Sequence, residues 1–316
     1  MQPEITARPS PLPHETQAPY LMDGGLETTL IFEHELDLPH FAAFPLLETA
    51  AGRQILERYF SAYLVIAARH GTGFVLETPT WRANPDWGDL LGYDRDRLVA
   101  ANKQAVAFLE DLRRRHADQP AIALSGCIGP RGDGYVVGTE MSIGEAHEYH
   151  ALQVNALVEA GVETLTALTM TYPEEAIGIT LAARDAGVPV AVAFTVETDG
   201  RLPNGVALRE AIIAVDAATD GAPAYYMINC AHPTHFDHVL GGDGSWLQRI
   251  RGIRANASCR SHAELDEAED LDAGNPAELG SQYAALKAAI PNLNVMGGCC
   301  GTDHRHVGEI ARSLFG

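Results

Sequence analysis

Eight short apolar runs, separated by longer amphipathic stretches, constrain this 316-residue chain more than any other feature. The runs are Tyr20–Asp23, Gly73–Glu77, Ala121–Ser125, Glu163–Leu168, Pro189–Phe194, Ala224–Asn229, Gly252–Asn256 and Leu293–Met296. They are rich in Val, Ile, Leu and Ala and lack strict alternation, the pattern of strands buried on both faces. Helical patterns lie at 50–70, 97–116, 143–160, 173–186, 206–217, 234–250, 277–290 and 304–315. In the first of these, Ile55, Leu56, Tyr59, Phe60, Tyr63, Ile66 and Ala67 recur at three- and four-residue steps. Eight strand–helix repeats predict an α/β chain closed into a (β/α)8 TIM barrel, one domain over 19–316. A doubly wound open sheet fits less well, because the first turn, Asp23-Gly24-Gly25-Leu26, lacks GxGxxG spacing. No GxxxxGK[ST] segment is present either, so nucleotide-phosphate binding has no motif.

The first 18 residues are Pro-rich and polar, without the apolar stretch of a signal peptide, and read as a disordered tail. With 22 Lys+Arg against 42 Asp+Glu the formal charge is −20, which argues against nucleic acid and anionic membranes as partners. No apolar run reaches the ~18 residues of a membrane span, and the expected location is cytoplasmic. Nothing in the sequence determines an oligomeric state. Seven acids and no Lys or Arg lie between Arg260 and Lys287, predicting a long acidic loop over 261–286, either a solvated surface or a lid on the barrel mouth.

Functional residues of such a barrel gather at the C-terminal ends of its strands. All five cysteines map there: Cys127, Cys230, Cys259, Cys299 and Cys300. An odd count in a chain long enough to build a core disfavours a disulfide framework. Cys127 and Cys259 are compatible with small buried hydrophobes. Gly297-Gly298-Cys299-Cys300-Gly301 is different, since flanking glycines let two successive thiols aim at one point. With Cys230 at the end of the sixth strand they make three thiolates and one open position, a zinc site suited to chemistry. A thiol-rich site favours presenting a thiolate over splitting water.

Asp23-Gly24-Gly25, Thr80-Trp81, Gly126-Cys127-Ile128-Gly129-Pro130, Asn229-Cys230 and Gly297-Gly298-Cys299-Cys300-Gly301-Thr302 together resemble the homocysteine S-methyltransferase family, from about Leu21 to the C-terminus. That family includes S-methylmethionine- and betaine-dependent enzymes. The resemblance implies a barrel with Zn2+ held by Cys230, Cys299 and Cys300, and substrate contacts from Asp23, Gly24, Gly25, Thr80, Trp81, Asn229 and Gly298. It also implies small-molecule partners: a thiol acceptor, homocysteine, and a sulfonium or ammonium methyl donor (S-methylmethionine, S-adenosylmethionine or betaine). Methionine is then the product. Trp81, Trp87 and Tyr93 are aromatic candidates for a cation–π surface facing the donor.

One position departs from the family pattern. Where a Glu-Thr pair normally precedes a proline, this chain reads Met170-Thr171-Tyr172-Pro173, so the carboxylate expected to receive the homocysteine amine is missing. Asp23, or Glu27 and Glu77 near predicted strand ends, offer compensating carboxylates; the alternative is a different small thiol acceptor. Rival readings are a non-enzymatic zinc- or thiol-redox-responsive protein, a second metal site at His232, His235 and His238, and metal-assisted hydrolysis. The last would favour His and carboxylate ligands over thiols. His304 and His306, two residues apart, cannot share a helix face.

Overall fold

The computed structural model describes residues 11–116, 121–241, 244–268 and 270–316. Eight parallel strands form a closed barrel in sequence order: β1 (Tyr20–Leu21), β2 (Gly73–Glu77), β3 (Ile122–Ile128), β4 (Thr164–Met170), β5 (Val190–Phe194), β6 (Tyr225–Asn229), β7 (Ile250–Ala255) and β8 (Val295–Gly298). Closure is made by β1, which pairs Tyr20 with Gly73 on one side and with Val295 on the other. The (β/α)8 architecture expected from the alternating runs is the one observed.

Every residue of β2 to β6 and of β8 is buried, which explains why those runs lack a polar face. Alternate side chains enter two layers. Tyr20, Val75, Ala123, Ala191, Tyr225, Met227 and Val295 pack inside the barrel. Leu21, Leu76, Leu124, Val192 and Ile228 pack outward against the helices. The outer ring comprises α2 (Ala50–His70), α4 (Arg95–Arg115), α5 (Ile143–Ala160), α6 (Pro173–Asp185), α7 (Leu208–Thr219), α9 (Pro276–Ala289) and α10 (His304–Phe315), while the shorter α1 (Leu26–Phe32), α3 (Pro85–Leu90) and α8 (His262–Asp266) lie in the connections after β1, β2 and β7. Helix α2 starts on a Thr49 cap, whose hydroxyl accepts from Gly52 N, and stops at Gly71 in the left-handed region (φ 63°).

Two expectations need correction. The helix expected over 234–250 is absent: its described part forms only 3₁₀ turns at Pro233–His235, Asp237–Val239 and Trp246–Arg249. The Gly241-Gly242-Asp243-Gly244 run explains this, because each glycine held in a helix costs backbone entropy. Second, of the stretch expected to be a disordered tail, residues 1–10 lie outside the described residues, but 11–18 pack beneath the barrel. Leu12 is buried against the interior layer. Tyr20 Oη donates to Pro11 O (2.5 Å), Arg251 Nη1 to Thr16 O (3.0 Å) and Asn294 Nδ2 to Pro13 O (2.9 Å). Proline-rich composition signalled an irregular backbone; it did not exclude a packed one. No helix among the described residues is long and apolar enough to cross a membrane.

Candidate metal centre and substrate cavity

At the C-terminal mouth, Cys230 follows β6 and Cys299 and Cys300 follow β8. Their sulfurs all lie within 4.8 Å of one another, with Cys230 Sγ and Cys300 Sγ 3.7 Å apart. In a tetrahedral zinc site with Zn–S of about 2.3 Å, sulfurs stand about 3.8 Å apart, so this donor set fits that ion. The backbone is shaped for the purpose. Cys230 sits in the left-handed region (φ 53°), unusual for a residue with a Cβ. Its carbonyl accepts from Asn256 Nδ2 (3.0 Å) and lies 2.7 Å from His262 Nε2, which anchors the strained turn. The Cys299 carbonyl accepts from Thr302 N (3.0 Å) and Thr302 Oγ1 (2.7 Å). A Cβ at Gly25 would stand 2.5 Å from Cys299 O, and one at Gly298 2.0 Å from Thr302 Oγ1, so both glycines permit close approach of backbone to the cysteine turn.

Hydrogen bonds from Cys230 and Cys300, aided by Arg254, hold Cys299 well below the usual thiol range. The same bonds, with burial and the resulting negative charge, push Cys230 up. A divalent cation in the cluster removes that competition, since a coordinating thiol is deprotonated. Cys127, inside β3, lines the cavity without joining the cluster, and burial pushes its thiol up. Cys259 is exposed.

The sulfurs open onto a cavity at the barrel mouth. Its wall includes Asp23, Gly24, Gly25, Glu27, Glu77, Trp81 and Asn229 among the residues expected from sequence. Thr80 and Gly298 are not in the wall. Thr80 Oγ1 instead bonds Cys127 O (2.7 Å) and Thr78 Oγ1 (2.6 Å), bracing the β2 and β3 ends. Asn229 works through its neighbour: its Oδ1 accepts from Thr169 N (2.9 Å) and its Nδ2 donates to Thr169 Oγ1 (2.8 Å), holding Thr169 at φ 63°. Of the proposed aromatic surface only Trp81 lines the cavity. Trp81 and Trp87 clamp the Arg82 guanidinium at 4.0 and 3.8 Å from their ring centroids, and Tyr93 is buried with its hydroxyl on Glu48.

Two residues escaped the sequence reading. Arg254, buried on β7, is ion-paired with Asp23 (2.7 Å) and Glu77, and also donates to Gly24 O and Gly298 O (2.9 Å each). Its signal was present, since a charge inside an otherwise apolar strand requires a buried partner. Tyr135 left no such signal. It lies in the loop after β3, its hydroxyl 3.2 Å from Cys300 Sγ and its ring stacked on His262 at 4.1 Å. The second histidine site is not assembled: His235 faces Cys259 O, His238 faces Asp199 O, and the described residues hold one metal-competent cluster, the cysteines. The acidic stretch expected as one loop over 261–286 instead contains α8 and most of α9, and its Leu265, Asp266, Asp270 and Asp272 wall a second cavity with Tyr135 and Cys300, while Glu269 lies outside the described residues.

The homocysteine S-methyltransferase family model matches residues 20–314. The chain belongs to the homocysteine S-methyltransferase family. It is therefore a methyltransferase acting on small molecules, which sets aside the non-enzymatic reading. The homocysteine methyltransferase MmuM of Escherichia coli has a similar fold. Its oxidized form superposes with a TM-score of 0.72 at 17% identity, covering 94% of this chain and 96% of that one. Its metallated form gives 0.70 at 19% identity with the same coverage. A search of curated proteins found no match to the sequence.

Within this methyltransferase, Met170 does not occupy the cavity. A bulge between Ala167 and Met170, with Thr169 left-handed, breaks the strand alternation. Leu168 and Thr169 face the cavity, and Met170 packs fully buried in the layer between barrel and helices. Met170→Glu therefore places a carboxylate among apolar side chains. The expected outcome is a loss of about 3 kcal/mol or more in unfolding free energy, with no gain in homocysteine affinity, read by denaturant titration and calorimetry. An unchanged midpoint with tighter binding would contradict the placement.

Burial raises the Glu27 carboxyl from its ordinary 4.5 to about 7. Between those values the folded chain holds a proton that the unfolded chain has released. The stabilising contribution is complete below the lower value and is lost as pH rises through the upper one. Metal-free wild-type protein should lose on the order of 2 kcal/mol relative to Glu27→Gln between about pH 5 and 8. Equal slopes for the two proteins in denaturant titrations across that range would refute the shift.

Proposed function

We propose that this methyltransferase moves a methyl group from a sulfonium or ammonium donor to homocysteine, yielding methionine, at a zinc ion held by Cys230, Cys299 and Cys300. The convergence of three sulfurs in the wall of one cavity carries this reading. When bound, zinc supplies the positive charge that keeps an acceptor thiol ionised at neutral pH. The chain's own residues do the rest. Leu168, Trp81 and Phe41 make the cavity wall largely apolar and limit water near the sulfurs. The Arg254 pairs and the Asn229–Thr169 clamp brace the rim, so the reactants meet side chains held by buried ion pairs and hydrogen bonds.

The second cavity shares Thr28, Phe41 and Cys300 with the first, giving two approaches to one cysteine cluster. We assign this second approach to the donor. Phe41 and Tyr135 are among its lining residues, aromatic rings of the kind that attract a cation, and Asp266, Asp270 and Asp272 in the same lining add negative potential. The test is methionine formation by zinc-loaded protein from L-homocysteine with S-methylmethionine, S-adenosylmethionine or betaine in separate reactions, read by mass spectrometry. Product from one donor supports the reading and names the donor; no product from any of them, with zinc confirmed present, rejects homocysteine as acceptor.

A further inference from the structure

The cavity wall carries three carboxylates, Asp23, Glu27 and Glu77, against one guanidinium, Arg254. Two of the three are already committed. Asp23 pairs with Arg254 and accepts from Tyr59 Oη (3.1 Å), and Glu77 pairs with the same Arg254. Arg254 in turn has its remaining donors on Gly24 O and Gly298 O. Glu27 makes no ion pair among the described residues, although it lines the same cavity as Cys299 and Cys300. A carboxylate withdrawn from water without a cation costs free energy, and a ligand cation recovers it.

We propose that Glu27 receives the ammonium group of the acceptor thiol, in place of a carboxylate at position 170. The inference rests on the acceptor being homocysteine, as proposed above, and names the residue that confers preference for its amine. Met170 faces the helices, so position 170 contributes nothing to the cavity. The donor's cation is the other positive charge to weigh, and the chemistry argues against it. A sulfonium or ammonium donor loses its charge as the methyl leaves, so a carboxylate contact would hold the ground state more tightly than the transition state and slow transfer. The acceptor's ammonium keeps its charge throughout. A carboxylate there binds ground and transition states alike, adding affinity without raising the barrier.

The test compares L-homocysteine with 4-sulfanylbutanoate, the same chain without the amine, on zinc-loaded wild type, Glu27→Gln and Glu27→Ala. Binding is read by calorimetry and turnover as separate KM and kcat. Both substitutions should weaken homocysteine about ten- to a hundredfold, the range of a charge-assisted hydrogen bond, and raise KM with little change in kcat. Binding of 4-sulfanylbutanoate should stay within about twofold of wild type. Removing a partly buried, unpaired charge does not threaten the fold, and zinc content with melting temperature verifies that for each variant. Equal weakening of both thiols would mean a structural role and overturn the inference, as would homocysteine binding that ignores both substitutions. A wild-type protein that binds neither thiol overturns the proposed function, and this inference with it.

Discussion

Cys230→Ser, Cys299→Ser and Cys300→Ser are each expected to leave the protein without retained zinc and without methyl transfer. The three sulfurs lie within 4.8 Å of one another, so in the proposed zinc site each supplies one corner. Structural zinc sites bind with roughly 10–16 kcal/mol over four ligands, so one ligand is worth on the order of 3 kcal/mol, a hundredfold or more in affinity. A serine hydroxyl does not replace it, being far less acidic and a poor partner for the ion. Zinc per chain after dialysis, measured by plasma mass spectrometry, should fall from near one to near zero for each variant, with turnover falling in parallel. Cys259→Ser is the control: the residue is exposed and outside the cluster, so zinc and activity should stay at wild-type levels. Full zinc retention by any of the three cluster variants would remove that residue from the ligand set.

Arg254→Met is expected to have the largest effect on stability. The guanidinium is buried and joins β7 to Asp23 just beyond β1 and to Glu77 at the end of β2, and it donates to the carbonyl of Gly298 in β8. Burial raises the carboxyls of both Asp23 and Glu77, and Arg254 is the principal group opposing that. Without it, two carboxylates share the barrel interior unpaired. Breaking a buried pair in this way costs about 3–5 kcal/mol, which for a domain of this size lowers the melting temperature by about 5–8 °C. Combining Arg254→Met with Asp23→Asn and Glu77→Gln should recover much of the loss, because the two carboxylates that Arg254 paired are then neutral. A melting temperature that Arg254→Met leaves unchanged would show that the pairs contribute nothing net.

Most of what the site needs was legible locally. Buried strands declare themselves by apolar runs and helices by their period, and both depend on neighbours within a few residues. The glycine-flanked Cys299-Cys300 pair is equally local, and placing Cys230 beside it required only that both strand ends meet at one rim. The roles of Thr80, Trp87 and Tyr93 were not legible, because a side chain near a rim can brace the wall as readily as line the cavity. The turns after β6 show the limit of periodicity: residues 234–250 carry apolar spacing, yet three glycines within four residues disfavour a continuous helix there.

The sequence alone determined that the chain closes a barrel and brings thiols to its mouth, since periodicity and glycine placement act over short range. Only the tertiary structure decided which charges remain available inside it. Asp23 and Arg254 are 231 positions apart, and their pairing depends on barrel closure. Met170 points outward because of a bulge two residues long, and a one-residue shift in a strand exchanges its two faces. Glu27 is left without an ion pair once Arg254 has taken the other two carboxylates, a balance set by packing across the mouth.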